Sequence, residues 1–183
     1  MFLRNQPPGR MIVAGFAAVI LLGMLVLLLP ISVKDGAEVT LIDALFTSTS
    51  AVCVTGLIAI DTADHFTAFG QGVVAALIQV GGLGVIACMS AFFLLLGKKI
   101  NMKGRITIQQ AYGLDTLSGL VKFVIRILKG TFLVEGIGAV LFSLRFIPEF
   151  GFIKGVGYAI FHSVSAFCNA GIDILGSTCF IQY

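Results

Sequence analysis

Charge is what this chain has least of. Only 11% of its 183 residues are Asp, Glu, Lys or Arg, where a soluble domain carries roughly a quarter. With 58% hydrophobic residues and a mean hydropathy of +1.05, that shortage excludes an ordinary soluble domain and reads as a membrane protein. Cysteine and histidine are sparse as well. The four cysteines, Cys53, Cys88, Cys168 and Cys179, contain no CxxC, and the two histidines stand at no ligand spacing from them. A metal site or a disulfide framework therefore gets little support. No catalytic residues are assigned and no enzymatic activity is expected. The net charge of +3 says little until the charges are placed, and no nucleic-acid partner is expected.

Glycine, by contrast, is abundant: 22 of 183 residues, or about 12% against a usual ~7%. Closely packed membrane helices, or non-helical backbone at membrane depth, each account for such an excess. Three long apolar segments are present. Met11–Leu29 is uninterrupted and ends at Pro30; its nineteen residues rise about 28 Å, close to the ~30 Å hydrocarbon core. It exceeds a typical signal-peptide core, and no A-x-A-like site follows it, so it reads as a retained span. The second segment is Thr67–Leu96 and the third runs from about Leu120 to Ile147. Between these two lies a polar connector, 98–119, with a short amphipathic helix expected around Ile106–Tyr112.

Three spans with a cytoplasmic N-terminus (residues 1–10) leave the connector inside. Arg4, Arg10, Lys98, Lys99, Lys103, Arg105, Lys122, Arg126 and Lys129 are then inside, nine of the twelve basic residues. The positive-inside rule favours this orientation over its reverse. Seven of the nine acids (Asp35, Glu38, Asp43, Asp61, Asp64, Glu149 and Asp173) fall outside, where they would concentrate cations. The count requires that residues 40–57 do not cross. Their apolar portion is too short for a span and reads as re-entrant or interfacial. Thr40 and Asp43 form a capping-box pattern, predicting a helix over Leu41–Ser50 followed by extended VCVTG.

That stretch occurs twice. FTSTSAVCVTGL at 46–57 and FHSVSAFCNAGI at 161–172 agree at six of twelve positions: Phe46/Phe161, Ser48/Ser163, Ser50/Ser165, Ala51/Ala166, Cys53/Cys168 and Gly56/Gly171. Each pair is separated by 115 residues. The second copy predicts a helix over about Val156–Ala166, then FCNAG. Irregular backbone at membrane depth must be buried in protein or line a water-filled path. A short helix followed by an extended glycine-containing strand is the shape of a pore loop. Its helix aims a negative C-terminal end at the membrane centre, and its strand offers carbonyls in place of water around a cation. Ser48, Ser50, Thr55, Ser163 and Ser165 are placed to hydrogen-bond the loop backbone from behind.

DALFTSTSAVCVTGL at 43–57, QVGGLGVIACMSAFFLLLGKKI at 79–100 and FHSVSAFCNAG at 161–171 resemble the Trk/Ktr/HKT superfamily of potassium transporters, most closely the Ktr-type membrane subunit. The resemblance runs from about residue 10 to 175. It implies an all-α membrane protein of helix–pore-loop–helix repeats, with re-entrant pore helices and extended filter strands. Four such units would surround one pore, each loop carrying a single glycine. Residues 11–97 would form the first unit, and 120–183 a second, incomplete one. The chain would thus be the N-terminal half of the pore-forming subunit, as a fragment, a truncated reading frame or a split protein, unable to close a fourfold filter alone. The resemblance implies that the backbone of Val52, Cys53, Val54, Thr55 and Gly56, and of Phe167, Cys168, Asn169, Ala170 and Gly171, lines the ion path. It implies K+ as the transported ion and Na+ as a coupling ion. It also implies a homodimer and a cytosolic, nucleotide-binding RCK-type partner, in the plasma membrane of a bacterium.

Other residues carry weaker signals. Gly81, Gly82 and Gly84 form GGLG in an apolar segment with no Lys-Ser/Thr after it, which favours close packing over phosphate binding. Glu135 is a carboxylate inside the third span, normally directed at an interior partner or aqueous path, and its partner is not legible. His65 and His162 read as surface and loop-packing residues. Two rival readings remain: a small helical assembly protein without a pore, which needs residues 40–57 as a further span, and a thiol oxidoreductase built on Cys53 and Cys168.

Overall fold

The structure, a computed structural model, describes residues 8–84 and 120–176. Its helices are α1 Pro8–Leu27, α2 Leu41–Cys53, α3 Thr62–His65, α4 Ala68–Leu83, α5 Leu120–Phe150 and α6 Phe152–Phe167. Among the described residues there is no strand, only an isolated antiparallel bridge between Val33 and Phe66. The expected connector helix, Ile106–Tyr112, and the second apolar segment beyond Gly84 lie outside the described residues.

Apolar side chains face outward as well as inward. Leu22 on α1 is 62% exposed, and Leu133 and Leu144 on α5 are 66% and 71% exposed. Helices with apolar exteriors suit a lipid surrounding. Lys122–Phe150 alone among the described helices is long and apolar enough to cross a membrane by length and composition. The apolar parts of α1, α2 and α4 are shorter. At 13 residues, α2 rises only about 20 Å, too little for the ~30 Å core, which removes the geometric basis of the reading that makes residues 40–57 a further span.

The first unit is stitched at one end. α1 stops near Pro30, where the Ser32 hydroxyl donates to the Val26 carbonyl at 2.6 Å. The chain leaving α1 then meets the chain entering α4. Thr67 N–H donates to Ser32 O at 3.0 Å and Lys34 N–H to His65 O at 2.9 Å. The Thr67 hydroxyl donates to Ile31 O and Lys34 Nζ to Ala63 O, at 2.7 and 2.6 Å. α1, α2 and α4 pack on one another, around Leu27, Ala44, Ala51, Val52, Val74 and Ile78.

α5 runs three residues past its expected end at Ile147. Pro148 sits in its last turn without stopping it. Gly151 stops it instead, at φ +81°, with its N–H donating to Ile147 O at 3.0 Å. α6 starts at once, four residues before expected, because Gly155 lies against the α5 backbone. A Cβ there would come 2.7 Å from Ile147 Cα. α5 and α6 thus form a tight hairpin, sealed by Phe142, Phe146, Phe150 and Tyr158.

Candidate functional site: two matched hairpins that meet

α2 begins with the capping box its sequence announces. Thr40 Oγ1 accepts from Asp43 N–H at 3.2 Å, and Asp43 Oδ2 accepts from Thr40 N–H at 3.0 Å and from its hydroxyl at 2.6 Å. These bonds, the hydroxyl's foremost, hold the Asp43 carboxyl below its ordinary value of 3.8.

The helix ends later than its sequence suggests. Val52 and Cys53, expected as extended backbone, are helical. Phe167 is likewise the last residue of α6, and Cys168 caps it in right-handed conformation. Burial explains the first overrun: Ala51 and Val52 are 0% and 1% exposed, and a further turn places both in the core. The turn out of the helix falls on Val54, at φ +55°, and on its counterpart Asn169, at φ +59°. Asparagine tolerates that left-handed conformation; a β-branched valine there is unusual. Asn169 carried a readable signal for this turn, and Val54 carried none.

From that turn onward the two loops repeat one hydrogen-bond plan with an offset of 115 residues. Thr55 N–H donates to Ser50 O at 3.0 Å, and Ala170 N–H to Ser165 O at 2.8 Å. The Ser50 hydroxyl reaches Leu57 O, and the Ser165 hydroxyl reaches Ile172 O, both at 2.7 Å. Gly56 and Gly171 take φ +74° and +66°. Ser48 and Ser163, expected behind the loops, bond the spans instead. Their hydroxyls donate to Ile20 O at 2.7 Å and to Glu135 O at 2.6 Å. Gly23 and Gly138 make room for them, since a Cβ on either would sit 2.5 Å from the serine Oγ. One difference is that the Thr55 hydroxyl donates to Ser50 Oγ at 3.0 Å, where the second loop has Ala170.

The loops touch. A Cβ on Gly56 would stand 2.6 Å from the Ala170 carbonyl oxygen, and one on Gly171 would stand 3.8 Å from Gly56 Cα. Ala170, Ile172 and Ile174 of the second loop are buried in the core of the first unit. The end of α4 wedges in beside them. Gly81 lies against the Val52 carbonyl and Gly82 against the Cys168 side chain, the close packing expected of GGLG, whereas a Cβ on Gly84 would meet no described atom within 4 Å and Gly84 instead takes φ +86°. Cys53 is a free thiol. His162, read with His65 as a surface or loop-packing residue, is a buried packing residue on α6, with Nδ1 2.7 Å from Tyr158 O and its ring 5.2 Å from Phe146. A cavity of about 440 Å³ opens beside the second loop, lined by His162, Asn169, Gly171 and Asp173 among others.

Apolar exteriors on an all-helical set of elements define a helical membrane protein, and its two loops share one hydrogen-bond plan. The chain belongs to the TrkH family, described as cation transport protein, which it matches over residues 10–181. It is 47% identical to the potassium/sodium uptake protein NtpJ of Enterococcus hirae, over 96% of this chain and 39% of that protein. It is 39% identical to the Ktr system potassium uptake protein B of Bacillus subtilis, over 94% of this chain and 38% of the relative. The protein of the same name from Vibrio alginolyticus is 36% identical over 92% of this chain and 37% of its own length. The chain thus spans about two fifths of the length of these curated relatives. Theirs is a family of cation transporters rather than of enzymes.

Proposed function

We propose that this chain supplies two helix–pore-loop–helix units of a bacterial potassium-uptake protein, and that Val52–Gly56 and Phe167–Gly171 contribute to its selectivity filter. The observation that carries this reading is the repeated loop: two hairpins with one hydrogen-bond plan, meeting at Gly56 and Ala170. Within each stretch, the backbone beyond Val54 and Asn169 is the part that leaves the helix and can aim carbonyls at a shared axis.

In this reading, K+ is attracted by the acidic outer residues, dehydrated by main-chain oxygens and passed inward. The C-terminal ends of α2 and α6 add a negative potential at the loops. The membrane potential contributes ~2.3 kcal/mol per charge per 100 mV. The N-terminus is cytoplasmic, following the distribution of Lys and Arg. Further units of the same kind complete the ring. Na+ coupling, a homodimer and a cytosolic RCK-type partner belong to the same proposal.

The test is rubidium uptake by the complete transporter in cells lacking other uptake systems, with sodium as competitor. Gly56→Ser and Gly171→Ser are expected to weaken discrimination against sodium. Unchanged uptake and unchanged ion preference in both variants would overturn the filter assignment.

A further inference from the structure

The filter reading uses main-chain oxygens and leaves one intramembrane carboxyl without a task. Glu135, in the middle of α5, is only 6% exposed. Its carbonyl takes the Ser163 hydroxyl, as the Ile20 carbonyl takes that of Ser48. Ile20 and Glu135 are counterparts at the 115-residue offset, so this joint between span and pore helix is built equally well on isoleucine. The fold of the second unit therefore does not call for the carboxyl.

Across the seam stands Gln79 of α4, in the other unit, whose side chain lies near the Glu135 carboxyl. Glu135 Oε1 and both Gln79 amide atoms are buried with no hydrogen-bond partner among the described residues. Both side chains line one cavity of about 370 Å³, whose remaining walls are apolar, among them Ala75, Phe132, Ala139 and Val164. Among the described residues, no basic side chain and no second titratable group lines it. Arg126 and Lys129 lie nine and six residues earlier on α5 and are exposed.

Buried polar atoms without partners are costly, and an ionised carboxylate in apolar walls is more so unless a counter-charge meets it. A carboxylate oxygen and an amide carbonyl oxygen are hard donors, suited to alkali and alkaline-earth cations. A single carboxylate balances one positive charge. A divalent ion would leave net charge in apolar surroundings with only two side-chain donors. The cavity also has room for several waters at ~30 Å³ each, enough to complete a coordination shell.

We propose that Glu135 and Gln79 form a monovalent metal-cation site at the seam between the two units, separate from the filter. The site joins α4 to α5, so its occupancy ties the exit helix of one unit to the entry helix of the next.

The test is thermal unfolding of the purified complete transporter at fixed, saturating potassium, titrated with sodium chloride against choline chloride. Wild-type protein is expected to show a saturable rise in melting midpoint with sodium. Glu135→Gln is expected to weaken the apparent sodium affinity at least tenfold, and Gln79→Leu to weaken it less. Glu135→Ile installs the first unit's residue at this joint and is expected to fold while losing the sodium response. A wild-type protein with no saturable sodium response, or variants that keep the wild-type affinity, would overturn the site. So would a midpoint that follows pH but not sodium and loses its pH dependence in Glu135→Gln, because the carboxyl would then carry a proton.

Discussion

At the scale of single residues, the two loop glycines are alike in conformation and unlike in surroundings. Both have positive φ, which costs an L-residue roughly 1–2 kcal/mol. A Cβ on Gly56 would also clash with a backbone atom of the other loop at 2.6 Å, whereas one on Gly171 would meet the other loop at an ordinary contact distance of 3.8 Å. Gly56→Ala is therefore expected to damage folding yield and uptake more than Gly171→Ala, as read by yield of monodisperse transporter and by rubidium uptake. The serines behind the loops differ from the glycines in kind. Ser165 is buried, and its hydroxyl satisfies Ile172 O. Ser165→Ala should lower stability by about 1–3 kcal/mol through a stranded acceptor, measurable as a fall in unfolding midpoint. Val54 makes the opposite case. Its φ of +55° is poorly suited to valine, so Val54→Asn, which copies Asn169, is expected to be tolerated in the same assay.

At the scale of elements, α2 is held at both ends by different physics. Its start rests on the Thr40–Asp43 box, and its end on burial of Ala51 and Val52. The Asp43 carboxyl is held below 3.8 by the Thr40 hydroxyl and N–H. A depressed carboxylate contributes stability that is complete above the unfolded value and is lost as pH falls through the folded one. The protection factor of the first turn of α2, its amide exchange relative to the intrinsic rate at each pH, should therefore be steady from neutral pH down to about 4 and fall below it. In Asp43→Asn that acid limb should flatten. The end of α4 shows how one element constrains both loops: Gly81 touches Val52 of the first and Gly82 touches Cys168 of the second.

At the scale of the whole molecule, the proposed orientation rests on the one-sided distribution of Lys and Arg along the sequence. Cysteine substituted at Glu38 should react with an impermeant maleimide in intact cells. Cysteine at Lys103 should react only after permeabilisation. The reverse pattern would invert the proposed topology and place the acidic residues inside. Joining of the units is also a property of this scale. Ile172 and Ile174 belong to the second loop by sequence but to the core of the first unit by packing, so that core is not complete without the second loop.

By itself, the sequence determined what depends on composition and local pattern. Scarce charge and long apolar runs specified the surrounding medium, Thr40 and Asp43 specified the start of α2, and six identities at one offset disclosed a duplicated hairpin. Tertiary structure decided what depends on neighbours distant in the chain. It carried α2 on through Cys53, because burying Val52 outweighs an early turn, and it sent the Ser48 and Ser163 hydroxyls to the spans rather than to the loops. It also set Glu135 opposite Gln79. No periodicity could announce that pair, since the two residues stand on separate helices, and only the packing of α4 against the second unit brings them to one cavity.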